Sequence, residues 1–341
     1  MLLLKAIPIW IAFFVTLNCI AETKIEEVLD SASSSKTTIP SWISNSEFYK
    51  INSSNFSIST DTEKTNFETS LENYQEKIAS IKKLEIPFRL FLSNSKNDYG
   101  IIDGKIRRFY YPKENFQLSQ KFREAIEIEK PTNLNTYKWI TFRFYEAIPD
   151  RVWIKSPNFY GSRPVSWYLR SDPLFYSAIF ANDLLGSSEK LSDFETAVEE
   201  TNIKITAPIS TLSINAPMID SIKPESMIPS YTLEQRSVTF LQLTNKDSYS
   251  KISKIHIAID NITQIPIYKS VFNRKGDMIS LLVQAISSDA SSTIPNWATK
   301  QIFTPETKSK NRFIPQATII YKSPQEVEKL TWGDESIDPN S

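Results

Sequence analysis

The chain has 341 residues, 39 basic and 39 acidic side chains, one His and one Cys. This even balance gives no argument for nucleic acid or an acidic surface as a partner. Six glycines speak against Gly-rich phosphate loops and against repeat folds that need a glycine per unit. A single histidine excludes histidine metal clusters and leaves a histidine-based triad only His256.

Met1 to Lys5 forms a positively charged start, Ala6 to Ile20 an apolar run, and Cys19-Ile20-Ala21 a small-residue site before Glu22. Residues 1–21 therefore read as a secretory signal peptide. The apolar run is about 15 residues, short for a membrane span of about 20; an uncleaved anchor is the alternative. Cys19 is the lipidation candidate and would then be the first mature residue. The preceding Val15-Thr16-Leu17-Asn18 lacks the usual Leu at −3 and small residue at −1. Cleavage after Ala21 instead leaves a chain without cysteine, and so without disulfides or thiolate metal sites. Residues 22–66 are rich in Ser, Thr, Asn and Lys and read as a linker, expected to be disordered. Asn52-Ser53-Ser54 and Asn55-Phe56-Ser57 match the glycosylation acceptor pattern, which a bacterial source would leave idle.

Phe67, Leu71, Tyr74, Ile78, Ile81 and Leu84 recur at spacings of three and four, which predicts an amphipathic helix over 67–84. Its apolar stripe is expected to pack on the protein's own sheet, the alternative being a partner-binding helix. Ile86 to Leu92 and Ile106 to Tyr111 read as strands, with Asn97 to Gly100 and Asp103-Gly104 as turns. Arg107 and Arg108, adjacent on a strand, point to opposite faces and form no common clamp. Phe116 to Ile128 reads as a short helix with Glu124, Glu127 and Glu129 on its wet side. Tyr137 to Ile148 is dense in aromatics, Val152 to Ile154 is a short strand, and Pro208 to Pro229 and Ser287 to Lys310 read as loops.

Tyr249 to Gln284 organises the rest. Ile255, Ile257 and Ile259 alternate with Lys254, His256 and Ala258, the signature of a half-buried strand. Asp260-Asn261 supplies a turn, Ile265 to Phe272 a second strand with Pro266 at its start, Gly276 a second turn, and Met278 to Ala285 a third strand. Three antiparallel strands with one wet face make a sheet that must cover its dry face. On this reading His256 is a solvated strand histidine.

No Gly-x-Ser-x-Gly elbow occurs, and no catalytic residue, metal site or cofactor is assigned. The aromatic excess is the remaining functional clue. Trp139, Phe142, Phe144, Trp153, Trp167 and Tyr168, facing Leu71, Tyr74 and Ile78 of the helix, are the candidate lining of a ligand cavity. Such a lining replaces water around acyl chains at about 0.8 kcal/mol per buried CH₂. An ordinary aromatic core under a large sheet is the plain alternative.

These residues also resemble a family. A strand ending in Ile259-Asp260, a Pro266, a strand ending in Phe272-Asn273, a Lys275-Gly276 turn and a further strand look like the central repeat of the outer-membrane lipoprotein-sorting proteins, the LolA-like superfamily. Arg312-Phe313-Ile314-Pro315 is similar to the run that opens that family's last strands, with Gln316 to Tyr321 and Val327 to Trp332 as those strands. Ser171-Asp172 and Asn182-Asp183-Leu184 occupy places comparable to a Ser-Asp-Phe and Asp-Leu segment of the family, while Leu174 to Phe180 departs from it. The resemblance is clearest over 237–332. It implies a mainly β (α+β) fold: a strongly curved antiparallel sheet, or half-barrel, with an N-terminal amphipathic helix packed on it. The expected domain spans 67–333, followed by a polar tail at 334–341.

The implied function is non-enzymatic: holding lipid or the acyl chains of a lipoprotein in the periplasm or envelope of a Gram-negative-type bacterium, with envelope proteins as further partners and no nucleic acid. Release would come from opening the helix away from the sheet. One rival is an envelope structural or interaction module with a filled core. Another is a secreted hydrolase using two carboxyl groups about 5–9 Å apart.

Overall fold

The computed structural model describes residues 48, 68–93, 99–112, 120–145, 148–157, 160–166, 174, 179–184, 187–210, 231–287, 297–303, 316–321 and 331–339. The predicted helix is α1 (Glu68–Ala79). Leu71, Tyr74 and Ile78 fall on one stripe and are buried. The helix is shorter than the pattern that announced it. Ile81 packs beside the core after the last turn, and Leu84 already belongs to the first strand.

Six strands follow as an antiparallel meander: β1 (Lys83–Ser93), β2 (Tyr99–Tyr110), β3 (Gln120–Lys130), β4 (Lys138–Phe144), β5 (Arg151–Lys155) and β6 (Ser162–Val165). A helical turn, α2 (Ala181–Leu184), leads to β7 (Phe194–Ser210), β8 (Tyr231–Asn245), β9 (Ile252–Asp260), β10 (Pro266–Asn273), β11 (Met278–Ser287), β12 (Trp297–Phe303) and β13 (Gln316–Tyr321). β13 pairs with β1, so all the described strands belong to one sheet. At one end the sheet closes. β10 pairs with β11, and the end of β11 runs parallel to the end of β7 through Ile286 and Ile209, so β7 to β11 form a ring. The fold is thus mainly β, a curved antiparallel sheet with a helix on it, as the pattern predicts.

The ring explains why β9 is not half-buried. Ile255, Ile257 and Ile259 face the main core beneath α1, while Ala258 faces a second core inside the ring. His256 is buried on that second side, between the rings of Phe240 and Phe272 at 5.1 and 4.9 Å, with Nε2 2.8 Å from Gln242 Oε1. It is not a solvated histidine. Burial first, and Lys254 second, push its pKa down to about 3. Phe48, from the stretch expected to be a linker, is helical and buried in the ring, stacked on Tyr268 at 4.9 Å.

Three further expectations are corrected. The helix expected at 116–128 is β3. Phe122, Glu124, Ile126 and Ile128 alternate inward, and pairing on both sides to β2 and β4 decides in favour of the strand. Glu124 is consequently buried rather than wet. Asp103-Gly104 is no turn but lies within β2. A Cβ on Gly104 would stand 2.5 Å from Glu127 O and 2.7 Å from the Phe88 ring, so glycine is there for close approach between strands. The Ser287–Lys310 loop contains β12, held between β11 and β13. The turns at Asp260 and Gly276 stand as predicted: Asp260 Oδ2 accepts from Thr263 N at 2.8 Å, and Gly276 has φ +82°.

The last described residues are not a free polar tail. Ile337 is buried against Ala125 and Ile140 on the outer face of β3 and β4. Tyr111 donates to Asp334 Oδ2 at 2.6 Å and Lys83 donates to the Trp332 carbonyl at 2.7 Å. The expected strand at 327–332 lies almost wholly outside the described residues.

Candidate functional site

The concave face of the sheet carries the main core. Trp139 on β4 joins Leu71, Tyr74 and Ile78 of α1 there. Phe142 and Trp153 do not. They pack together on the outer face, ring centroids 4.7 Å apart, beside Trp332. Phe144, two residues along from Phe142, lies under the Arg151 guanidinium at 5.5 Å. A strand's period of two separates odd from even residues, and the aromatic run of β4 is divided between both sides of the sheet. Trp167, Tyr168 and Cys19 lie outside the described residues. The nine expected lining residues therefore do not surround one cavity.

What the inner face holds beyond its apolar core is a set of buried ions. Lys269, 2% exposed on β10, donates to Asp183 Oδ1 at 2.5 Å and to Glu189 Oε1; both carboxylates are 1% exposed. Burial alone would lower a lysine, but the two carboxylates outweigh it and hold Lys269 above its ordinary value. On β4, Arg143 Nε donates to Asp150 at 2.8 Å, and its Nη groups donate to the Ser188 carbonyl at 2.8 Å and to Asn182 Oδ1 at 3.3 Å. On β2, Arg108 Nε donates to Glu124 at 2.9 Å and one Nη donates to the Tyr110 hydroxyl at 2.8 Å. Arg107 points to the opposite face and pairs with Glu127, as adjacent strand residues must. From α1, Gln75 donates to the carbonyls of Ser187 and Glu189 at 3.1 and 3.0 Å.

Residues 181–184 and 187–190 thus bridge three parts of the molecule. They meet the helix through Gln75, the meander through Arg143 and the closed ring through Lys269. Beside them opens a cavity of about 380 Å³. Phe180, Phe194, Ile252, Ile255 and Val271 give it an apolar floor, and Asn182, Lys190, Asp193, Lys246 and Asp247 a polar rim. This volume is in the range of small-molecule sites. Two of the buried ion pairs, Glu189 with Lys269 and Asp150 with Arg143, also line it.

Of these residues, sequence reasoning had singled out Arg107, Arg108, Glu124, Glu127 and Ile255 within single elements, and Asn182 and Asp183 through the resemblance. Lys269 within Ile267-Tyr268-Lys269-Ser270-Val271 and Arg143 between Phe142 and Phe144 carried a usable signal: a charge inside an apolar strand needs a buried partner.

No protein-family model matches the sequence, and no curated protein does. Solved structures do. The putative outer membrane lipoprotein-sorting protein domain from Vibrio parahaemolyticus superposes with a TM-score of 0.58 at 10% identity, over 80% of this chain and 96% of that one. A DUF1329 family protein from Desulfovibrio piger gives 0.56 at 10% identity, with the same coverage. The chain shares the fold of these two proteins. In this chain α1 fills the concavity it covers, and the open volume lies to one side, beside α2 and the ring.

Proposed function

We propose that this is a non-enzymatic protein of the bacterial envelope that binds lipid or the acyl chains of a lipoprotein, and that the 380 Å³ cavity is where the apolar part is held. The observation that carries the reading is an apolar-floored cavity of ligand size on the concave side of a lipoprotein-sorting fold. Each methylene transferred to that floor contributes about 0.8 kcal/mol. The leader read over residues 1–21 supports this reading, since export would bring the protein to where such cargo is found. The test is native mass spectrometry of the protein expressed with its own leader in a Gram-negative host. Co-purified lipid is expected, and Val271→Trp, which fills the floor, is expected to lose it. A ligand-free mass that stays unchanged after incubation with lipid would refute the proposal.

A second reading, an envelope structural or interaction module, is favoured by one observation. Leu71, Tyr74 and Ile78 are buried with Trp139, and a space of only about 10 Å³ lies between the helix's Gln75 and Ile78 and the sheet.

A further inference from the structure

That small space has an unusual lining. β3 and β4 slip register between Gln120 and Phe122, leaving Lys121 as the extra residue of a bulge. A bulge re-aims the side chain it carries. Lys121 accordingly lines the same cavity as Phe122, together with Arg108, Tyr110, Arg143, Gln75 and Ile78. Three cationic side chains line this one space on the inner face, the half-buried Lys121 with its ammonium 5.9 Å from the Tyr145 ring centroid. Two carboxylates serve them: Glu124 holds Arg108, and Asp150 holds Arg143. Lys121 has no ion-pair partner among the described residues; the helix acids Glu72 and Glu76 are exposed and act on it only across a distance.

The electrostatics agree with this excess of positive charge. Burial, then Arg143 and Arg108, push Lys121 down to about 8. Burial and then Arg108 push Arg143 down to about 10. Like charges depress one another; Glu124, Asp193 and Glu189 pull Arg143 the other way without outweighing burial and Arg108, while against burial Glu124 holds Arg108 above its ordinary value. Donors remain to be used. Each Nη of a guanidinium has two hydrogens, and the bonds to Glu124, Tyr110, Ser188 and Asn182 engage one apiece. The cavity is the size of one water molecule. Phosphate, sulfate and carboxylate head groups do not fit.

We propose that the cavity formed by Arg108, Lys121 and Arg143 beneath α1 is a binding site for a single monoatomic anion of the halide class. The anion supplies the missing negative charge where the helix, the 187–188 segment and the sheet meet. It therefore adds to the hold on α1.

The test uses the full chain. Thermal unfolding is followed in sodium chloride, sodium bromide and sodium gluconate at matched ionic strength. The halides are expected to raise the midpoint by a saturating few degrees over gluconate. Lys121→Met is expected to lose that response entirely, and in gluconate to be at least as stable as the native chain, because it removes a repelled charge. Coincident halide and gluconate curves, or a full halide response in Lys121→Met, would overturn the proposal. Crystals grown in bromide give an answer that does not depend on the variant. An anomalous peak between Lys121 and Arg143 is expected, and peaks confined to other places would overturn the site.

Discussion

Lys269→Met removes the one cation held between Asp183 and Glu189 while keeping most of the side chain's volume. The native arrangement sets one ammonium against two carboxylates that water does not reach. Breaking a buried ion pair by deleting one partner costs about 3–5 kcal/mol, because the remaining charge is left uncompensated. Two charges are left here, so the upper part of that range is expected in urea unfolding followed by tryptophan fluorescence at pH 8. The triple variant Asp183→Asn, Glu189→Gln, Lys269→Met removes all the charges and is expected to recover most of the loss, as neutral replacements of buried ion clusters do. In the native protein, Lys269 is held above its unfolded value of 10.5, so its stabilisation is complete below about pH 10 and fades only at higher pH. A Lys269→Met loss under 1 kcal/mol, or a triple variant no more stable than the single one, would refute the charge argument.

Phe48→Ala empties the position stacked on Tyr268 and beside Phe240; a loss of about 3–5 kcal/mol in the same unfolding assay is expected, and an unchanged midpoint would show that the ring does not need Phe48. His256, the only histidine, is expected to show no NMR titration between pH 8 and 4.5, because burial holds its pKa near 3. Since the unfolded chain takes up that proton near pH 6.5 and the native chain does not, native stability falls by up to about 1.4 kcal/mol per pH unit on acidification below 6.5. His256→Gln removes that part of the slope. Gly104→Ala drives a methyl group into Glu127 O and the Phe88 ring and is expected to lower stability by roughly 1–3 kcal/mol in calorimetry.

How much of this could be read from the chain depended on whether the deciding interaction was local. The stripe of Leu71, Tyr74 and Ile78 and the alternation of Ile255, Ile257 and Ile259 are periodicities of single elements, and both held. The second buried face of β9 was not legible, because it exists only once β10 and β11 close on β7, a contact between Ile286 and Ile209 far apart in sequence. β3 read as a helix because Phe122, Ala125 and Ile126 also satisfy a helical spacing. Its neighbours β2 and β4 decided otherwise. The cavity was legible least of all. Its floor comes from Phe180 just ahead of α2, Phe194 on β7, Ile252 and Ile255 on β9 and Val271 on β10, whereas the aromatics that stood out in sequence were divided between the two faces of the sheet by the pleat itself.

That placement bears on how a ligand would enter. A route that lifts α1 from the sheet re-exposes Leu71, Tyr74 and Ile78 and breaks both Gln75 bonds. At about 1.5–3 kcal/mol for each buried side chain, the three apolar residues alone oppose this by roughly 5–9 kcal/mol, comparable with the whole stability of a typical domain. The cavity rimmed by Lys190, Lys246 and Asp247 is not lined by the helix, so filling it requires no such step. A Gln75→Cys, Ser187→Cys variant joined by a short bifunctional maleimide fixes α1 to the segment it already touches. Lipid uptake by the cross-linked protein is expected to match that of the uncross-linked variant. Uptake abolished by the cross-link and restored by a cleavable linker would show that the helix must open, and would move the ligand from the side cavity to the space beneath α1.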